Sequence, residues 1–230
     1  MEHQDLNYEN FLVTRPLWAS FEESRDGIPM MWGSRIAEET AAYADMLNIG
    51  NLSTRKPLNN TIIEGFQYDS KLESLWRNPY SKLHALRKCL SVLTPDFSIT
   101  PSMNKAQVLY NTYRNRWMGC FLQQFSIDSI PSVSWAKPWT YDICIQGIPK
   151  GNPIAVSTIG SIDTEMFLEG YDYFMDNIKP AYVICYGKPI IGMRGRLIRF
   201  DYEDAFMPNR NGEQMRLFPL SRLEIYDKEE

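Results

Sequence analysis

Ile154-Ala155-Val156-Ser157-Thr158-Ile159-Gly160 is a continuous apolar run, rich in β-branched residues, that closes on hydroxyls and a glycine. A strand covered on both faces reads this way, because helices flank both sides of a parallel sheet. Three other segments repeat the pattern: Ser91-Val92-Leu93-Thr94-Pro95-Asp96-Phe97-Ser98, Ile130-Pro131-Ser132-Val133-Ser134-Trp135 and Ala181-Tyr182-Val183-Ile184-Cys185-Tyr186-Gly187. Each apolar run stops at small or polar side chains. In α/β folds, ligands sit where such strands end. The four segments predict parallel strands whose tips line a pocket.

Helical patterns lie between them. From Asn104 to Phe125, Val108, Leu109, Tyr113, Trp117, Cys120, Phe121 and Phe125 recur at steps of three and four. Thr164 to Asn177 reads as a second helix and Thr61 to Phe66 as a further strand. Lys71 to Arg77 and Ser81 to Cys89 read as short helical pieces broken at Asn78-Pro79. Pro138 to Gly147 is ambiguous. Strand and helix thus alternate from Thr61 to Gly187, which implies parallel strands with right-handed crossovers. The expected fold is α/β: a single domain with about five parallel strands, arranged as an incomplete (β/α) barrel. An open doubly wound sheet is the alternative, since strand order is invisible in the sequence.

Three regions follow from this reading. Residues 1–60 form an N-terminal arm and helix packed on the body, 61–187 the α/β core, and 188–230 a C-terminal extension. Residues 1–30 are aromatic-rich but aperiodic and read as an extended arm. Ser34 to Leu47 has helical composition, with Ser34 as its cap. Ile190 to Phe200 reads as a β-ribbon, Met207 to Gly212 as a loop, and Asp227 to Glu230 as a frayed end.

At 230 residues and 44% hydrophobic, the chain can bury one sizeable core. The formal net charge of -4 argues against broad electrostatic capture of nucleic acid or anionic membrane, though a local basic patch remains compatible with it. No apolar run approaches the roughly 20 residues that span a bilayer. Met1 to Asn10 is polar and acidic, unlike a signal sequence. Cys89, Cys120, Cys144 and Cys185 are scattered through apolar stretches without metal-ligand spacing. They read as buried reduced thiols, and the expected setting is cytoplasmic, with no metal and no disulfide.

Several blocks carry a resemblance. They are Leu93 to Ser98, Tyr113-Arg114-Asn115-Arg116-Trp117-Met118-Gly119, Ile130 to Trp135, Gly147-Ile148-Pro149-Lys150, Val156 to Gly160 and Ile184 to Gly187. In this order and spacing they resemble the domain of unknown function 4417 family over roughly residues 61–187. Asp69, Glu73 and Trp76 fit the family pattern at its first helix, whereas Tyr68 and Leu72 depart from it, so no acidic metal site is expected there. The resemblance implies a phage or mobile-element origin, hence a host-cell cytoplasm, and leaves function to the residues.

Asp96 is the leading catalytic candidate: a carboxylate at a strand tip can act as a general base or bind a ligand hydroxyl. Its bland counterpart is an Asx-turn. Ser134, Trp135, Ser157 and Tyr186 end three of the strands and are candidate ligand contacts, the hydroxyls orienting a substrate and the indole stacking on a ring. Equally, they can satisfy local backbone groups and close the core. No Gly-x-Ser-x-Gly elbow surrounds Ser157, so it is not read as a nucleophile. Arg114 can clamp a phosphate, pair with Asp96 or stack on Trp117. Gly147 to Gly151 lacks the spacing and context of a phosphate loop. His3 and His84 are the only histidines and read as surface residues. Arg194, Arg196 and Arg199 alternate with apolar residues and form a candidate nucleic-acid strip, blunted by Asp201, Glu203 and Asp204.

Three functions compete on this evidence. The first is binding, with or without catalysis, of a small phosphorylated or nucleotide-like ligand at the strand tips; the cofactor, if any, is unspecified. The second is a non-catalytic phage protein that binds or inhibits a host protein. The third is a nucleic-acid-associated replication or transfer protein, which the net charge disfavours.

Overall fold

The computed structural model describes residues 8–52, 58–160, 163–202 and 222–226. Eight strands and seven α-helices lie among them. The strands are β1 (Asp45–Asn48), β2 (Thr61–Glu64), β3 (Ser91–Leu93), β4 (Ser129–Ile130), β5 (Ile154–Ser157), β6 (Val183–Tyr186), β7 (Gly195–Phe200) and β8 (Leu223–Tyr226). The helices are α1 (Tyr8–Thr14), α2 (Glu38–Ala42), α3 (Asp69–Arg77), α4 (Leu83–Leu86), α5 (Lys105–Gln124), α6 (Pro138–Cys144) and α7 (Thr164–Ile178). His3, the Met207–Gly212 loop, Glu203, Asp204 and the charged end from Asp227 lie outside the described residues.

β1 to β4 pair in chain order, all parallel. β5, β6 and β7 continue in the same sense, and β8 turns back antiparallel on β7. A parallel bridge between Ser132 and Ala155 joins the two sheets. Beyond β8, the Arg222 N–H donates to the Ala42 carbonyl just before β1 (3.2 Å). Neighbouring strands are therefore consecutive in sequence throughout. A doubly wound sheet would reverse its order at a switch point; here the order never reverses. The expected barrel-like order is the observed one, with seven parallel strands, β1 to β7, where about five were expected.

The side chains explain the curvature. Met46, Ile62, Leu93, Ile130, Ala155, Ile184 and Ile198, one from each of β1 to β7, meet in a single buried cluster. Inward residues of a closed sheet stack in this way. Their alternates face outward: Ile63 and Val92 pack with Trp117, Phe121 and Leu122 of α5, while Val156, Val183, Cys185 and Leu197 pack with Phe167, Tyr171 and Phe174 of α7. Each such fully buried side chain contributes about 1.5–3 kcal/mol.

The long helix is bounded by its own chemistry. The Asn104 side chain accepts from the Gln107 N–H (3.1 Å), and Gln107 Oε1 accepts from the Asn104 N–H (2.9 Å), a reciprocal cap. α7 starts where Asp163 Oδ1 accepts from the Met166 N–H (3.0 Å) and stops at Lys179 in the left-handed region (φ 53°), just before Pro180.

The flanks differ from expectation in detail. Tyr8–Thr14 is helical within the arm that was expected to be extended. The arm is pinned to α5: Trp117 Nε1 donates to the Arg15 carbonyl (2.7 Å), and the Gln123 amide both accepts from the Trp32 N–H and donates to its carbonyl (each 2.8 Å). The Ser34–Leu47 segment divides into the short α2 and strand β1. Ser34 does not cap the helix; its hydroxyl donates to Asp128 (2.8 Å). Of the ribbon expected over Ile190 to Phe200, only β7 forms there; it pairs parallel with β6, and its antiparallel partner β8 comes from Leu223–Tyr226, where no strand was expected.

Candidate functional site

Three strand tips converge on α5. After β3, Thr94 Oγ1 donates to Asn115 Oδ1 (2.7 Å) and accepts from the Ser132 N–H (2.8 Å). Ser132 Oγ donates to the Thr94 carbonyl (2.8 Å), and Asn115 Nδ2 donates to the Pro95 carbonyl (2.8 Å). The Asp96 N–H donates to the Gly65 carbonyl (3.0 Å), tying the tip of β2 to that of β3. Only glycine fits there: a Cβ on Gly65 would sit 2.7 Å from the Thr94 carbonyl oxygen. All of these groups are buried, and such closed networks fix one geometry.

Beside this lock lies a small cleft whose cavity volume is about 10 Å³, room for a single water-sized group. Phe97, Asn115, Arg116, Ser132, Ser134 and Cys144 are among its lining residues. Arg116 is almost fully buried. It donates to the carbonyls of Gln146 (2.9 Å), Ser132 (3.0 Å) and Cys144 (2.7 Å) and to Asn115 Oδ1. Burial lowers its pKa to about 10, opposed by the fields of Cys144 and Asp96. No carboxylate among the described residues pairs with it directly.

Asp96 is the chain neighbour of the lining residue Phe97 and is not itself among the residues that line the cleft. Its Oδ1 is enclosed and accepts no hydrogen bond. Burial raises its pKa to about 6; a hydrogen bond from Ser134 opposes the rise, and the Asp69 charge adds to it. Glu64, the last residue of β2, is wholly buried. It accepts from Asn48 Nδ2, from the Phe66 N–H (2.6 Å) and from Gln67 Nε2 (3.0 Å). Burial nonetheless pushes it up to about 7, and Asp96 adds a smaller push in the same direction. Two carboxyls at adjacent strand tips thus titrate well above the usual range. Carboxyls perturbed in this way are candidates for a functional site.

The other sequence-derived residues distribute as follows. Ser134 hydrogen-bonds Asp96 and lines the cleft. Trp135 lies against α7, its ring 5.0 Å from both Phe167 and Phe174. Gly170 makes room for it, since a Cβ there would meet Trp135 Nε1 at 2.1 Å. Ser157 Oγ accepts from the Ile159 N–H (3.2 Å), a local turn. Tyr186 stacks on Phe66 (5.4 Å, 6°) inside the barrel mouth. Arg114 does not meet Asp96 or Trp117. It pairs with Glu73, donates to Asn111 Oδ1 (2.7 Å) and lies 3.7 Å over the Phe97 ring. Arg194 pairs with Asp172 and Asp176 (2.6 Å each), Arg196 with Glu38 (2.7 Å) and Arg199 with Asp201 (2.8 Å). Carboxylates on the chain itself therefore occupy this strip.

Glu64, Asn115 and Arg116 were missed as site residues. Glu64 had a signal: it is the single acid closing the Thr61-Ile62-Ile63 run. Asn115 and Arg116 had a weaker one, two polar residues directly before the apolar run Trp117 to Leu122 of the same helix. Among the described residues, no group of three His, Cys, Asp or Glu side chains comes together to hold a metal ion, and no helix is long and apolar enough to cross a membrane.

Comparison with known proteins places the chain. It belongs to the family described as "Domain of unknown function (DUF4417)", whose model matches residues 26–203. That match takes in most of the arm contacts and β1 as well as the core. The chain is 36% identical over 134 residues to the "Gene 1 protein" of Mycobacterium phage L5, covering 56% of this chain and 58% of that protein. It is 34% identical over 127 residues to the "Gene 1 protein" of Mycobacterium phage D29, covering 54% and 47%. The chain thus spans about half the length of the curated relatives it matches, and both are phage proteins. No solved structure matches it.

Proposed function

We propose that this chain binds a small nucleotide-like ligand at the carboxyl ends of β3 and β4, in the host-cell cytoplasm. The observation that carries the reading is the enclosed, unsatisfied Oδ1 of Asp96 beside the cleft. A buried acceptor without a donor costs about 1–3 kcal/mol, and a ligand N–H or O–H removes that cost. The cations near the cleft are already engaged, Arg114 by Glu73 and Arg116 by main-chain carbonyls. The part of the ligand facing Asp96 is therefore a sugar hydroxyl or base amine, and any phosphate points toward solvent.

Thermal melting against nucleosides, nucleotides and sugar phosphates tests this. A ligand present at about 100 times its Kd stabilises the folded chain by about 2.7 kcal/mol, an upward shift of several degrees. The shift is expected for the wild type and is expected to shrink in Asp96→Asn. No shift with any of these compounds, or an equal shift in the variant, refutes the reading.

A further inference from the structure

A second surface, remote in sequence from the strand tips, carries an opposite charge. Between Ser70 and Lys88 every exposed side chain is basic or neutral. The segment holds Lys71, Arg77, Lys82, Arg87 and Lys88 and one acid, Glu73. That acid is half-buried and committed to Arg114. Such a run is unexpected in a chain of net charge -4.

Its arrangement follows from the helices. Lys71, Ser74 and Arg77 are three residues apart on α3 and share its exposed side, opposite the buried Leu72, Leu75 and Trp76. The chain then turns at Pro79, and α4 directs Ala85 and Leu86 into the core while His84, Arg87 and Lys88 face outward. Aromatic rings border this face. Tyr80 is 46% exposed and Trp18 67% exposed. Both pack on Phe125 (6.1 and 5.7 Å), and the Arg87 guanidinium lies 5.3 Å over that same ring. Arg87, Tyr80 and Trp18 thus gather around the one Phe125 ring.

We infer that this α3–α4 face binds single-stranded nucleic acid. Phosphates meet the basic side chains, and bases stack on Tyr80 and Trp18; groove-like basic surfaces edged by aromatics bind single strands in this manner. Charge complementarity selects a polyanion, and the rings select one that carries bases. The inference does not depend on the cleft. The Arg194–Arg199 segment, at and within β7, is not part of the proposed face.

Fluorescence anisotropy of a labelled single-stranded oligonucleotide tests it. With about four phosphates neutralised, affinity should fall roughly 50-fold between 50 and 200 mM salt. Lys71→Glu with Lys82→Glu, and separately Arg87→Glu, should each weaken binding at least tenfold with little change in melting temperature, since these side chains lie at or near the surface. Tyr80→Ala should weaken binding to the oligonucleotide and leave binding to heparin unchanged. Arg196→Glu should leave both unchanged. Absence of binding at 50 mM salt overturns the inference, as does binding unaffected by the α3–α4 reversals. Competition by polyglutamate as effective as that by unlabelled oligonucleotide also overturns it and assigns the face to an acidic protein.

Discussion

Replacing Glu64 by Gln should remove a pH dependence that the wild type carries between about pH 4.5 and pH 7. In the folded chain the Glu64 carboxyl titrates near 7, against 4.5 for the exposed group. Between those values the folded state binds more protons than the unfolded state. Stability is therefore full below the lower value and declines as pH rises through the upper one. A displacement of this size corresponds to about 3 kcal/mol of lost stability on passing from pH 4.5 to above pH 7. The cause is burial, which three hydrogen bonds only partly offset. Asp96, lifted from 3.8 to about 6, adds a decline of the same sign over a lower window. Urea unfolding at half-unit steps of pH, with wild type and Glu64→Gln side by side, measures the effect. The substitution brings a constant offset, because a Gln amide cannot accept from Asn48, Phe66 and Gln67 together. The difference between the two curves is what reports on the carboxyl. It should fall by about 3 kcal/mol between pH 4.5 and about pH 8. A flat difference, or one that grows with pH, refutes the reasoning.

Two further outcomes follow from packing. Gly170→Ala places a methyl group onto the Trp135 indole and should cost about 1–3 kcal/mol, read as a lower urea midpoint with an unchanged slope. Arg116→Met removes the donor to three main-chain carbonyls and to Asn115 at once; with about 1–3 kcal/mol for each buried acceptor left without a donor, it should lower stability by about 3 kcal/mol or more, and a midpoint within error of wild type would show the network to be dispensable.

The sequence made part of this molecule legible, and physical reasons explain which part. β3, β5 and β6 are covered on both faces, so their apolar runs are unbroken and read directly as strands. α5 announces itself by the three- and four-residue period of its apolar positions. β1 was hidden because Asp45-Met46-Leu47-Asn48 holds only two apolar residues between polar ends and follows an alanine-rich stretch; only pairing with β2 makes it a strand. Asp96 was visible as a carboxylate at the end of an apolar run. Its relation to Ser134 and Glu64 was not, because parallel pairing places side by side tips that are far apart in the chain. Arg114 and Arg116 show the same limit. Arg114 alone suggested a phosphate clamp, but which arginine lines the cleft depends on helix rotation, and the helix turns Arg114 toward Glu73 and Arg116 inward.

The unbroken succession of strands also bears on how the chain assembles. Each parallel pairing from β1 to β7 joins segments adjacent in sequence, so every crossover closes a short loop at modest entropic cost. The sheet can grow one unit at a time, each strand finding its template already in place. The Arg222–Ala42 hydrogen bond is different, since it unites positions separated by most of the chain. That seam carries the largest loop-closure cost and is the last contact expected to form. A pulse-labelling experiment would find the amides of β2 and β3 protected before that of Arg222.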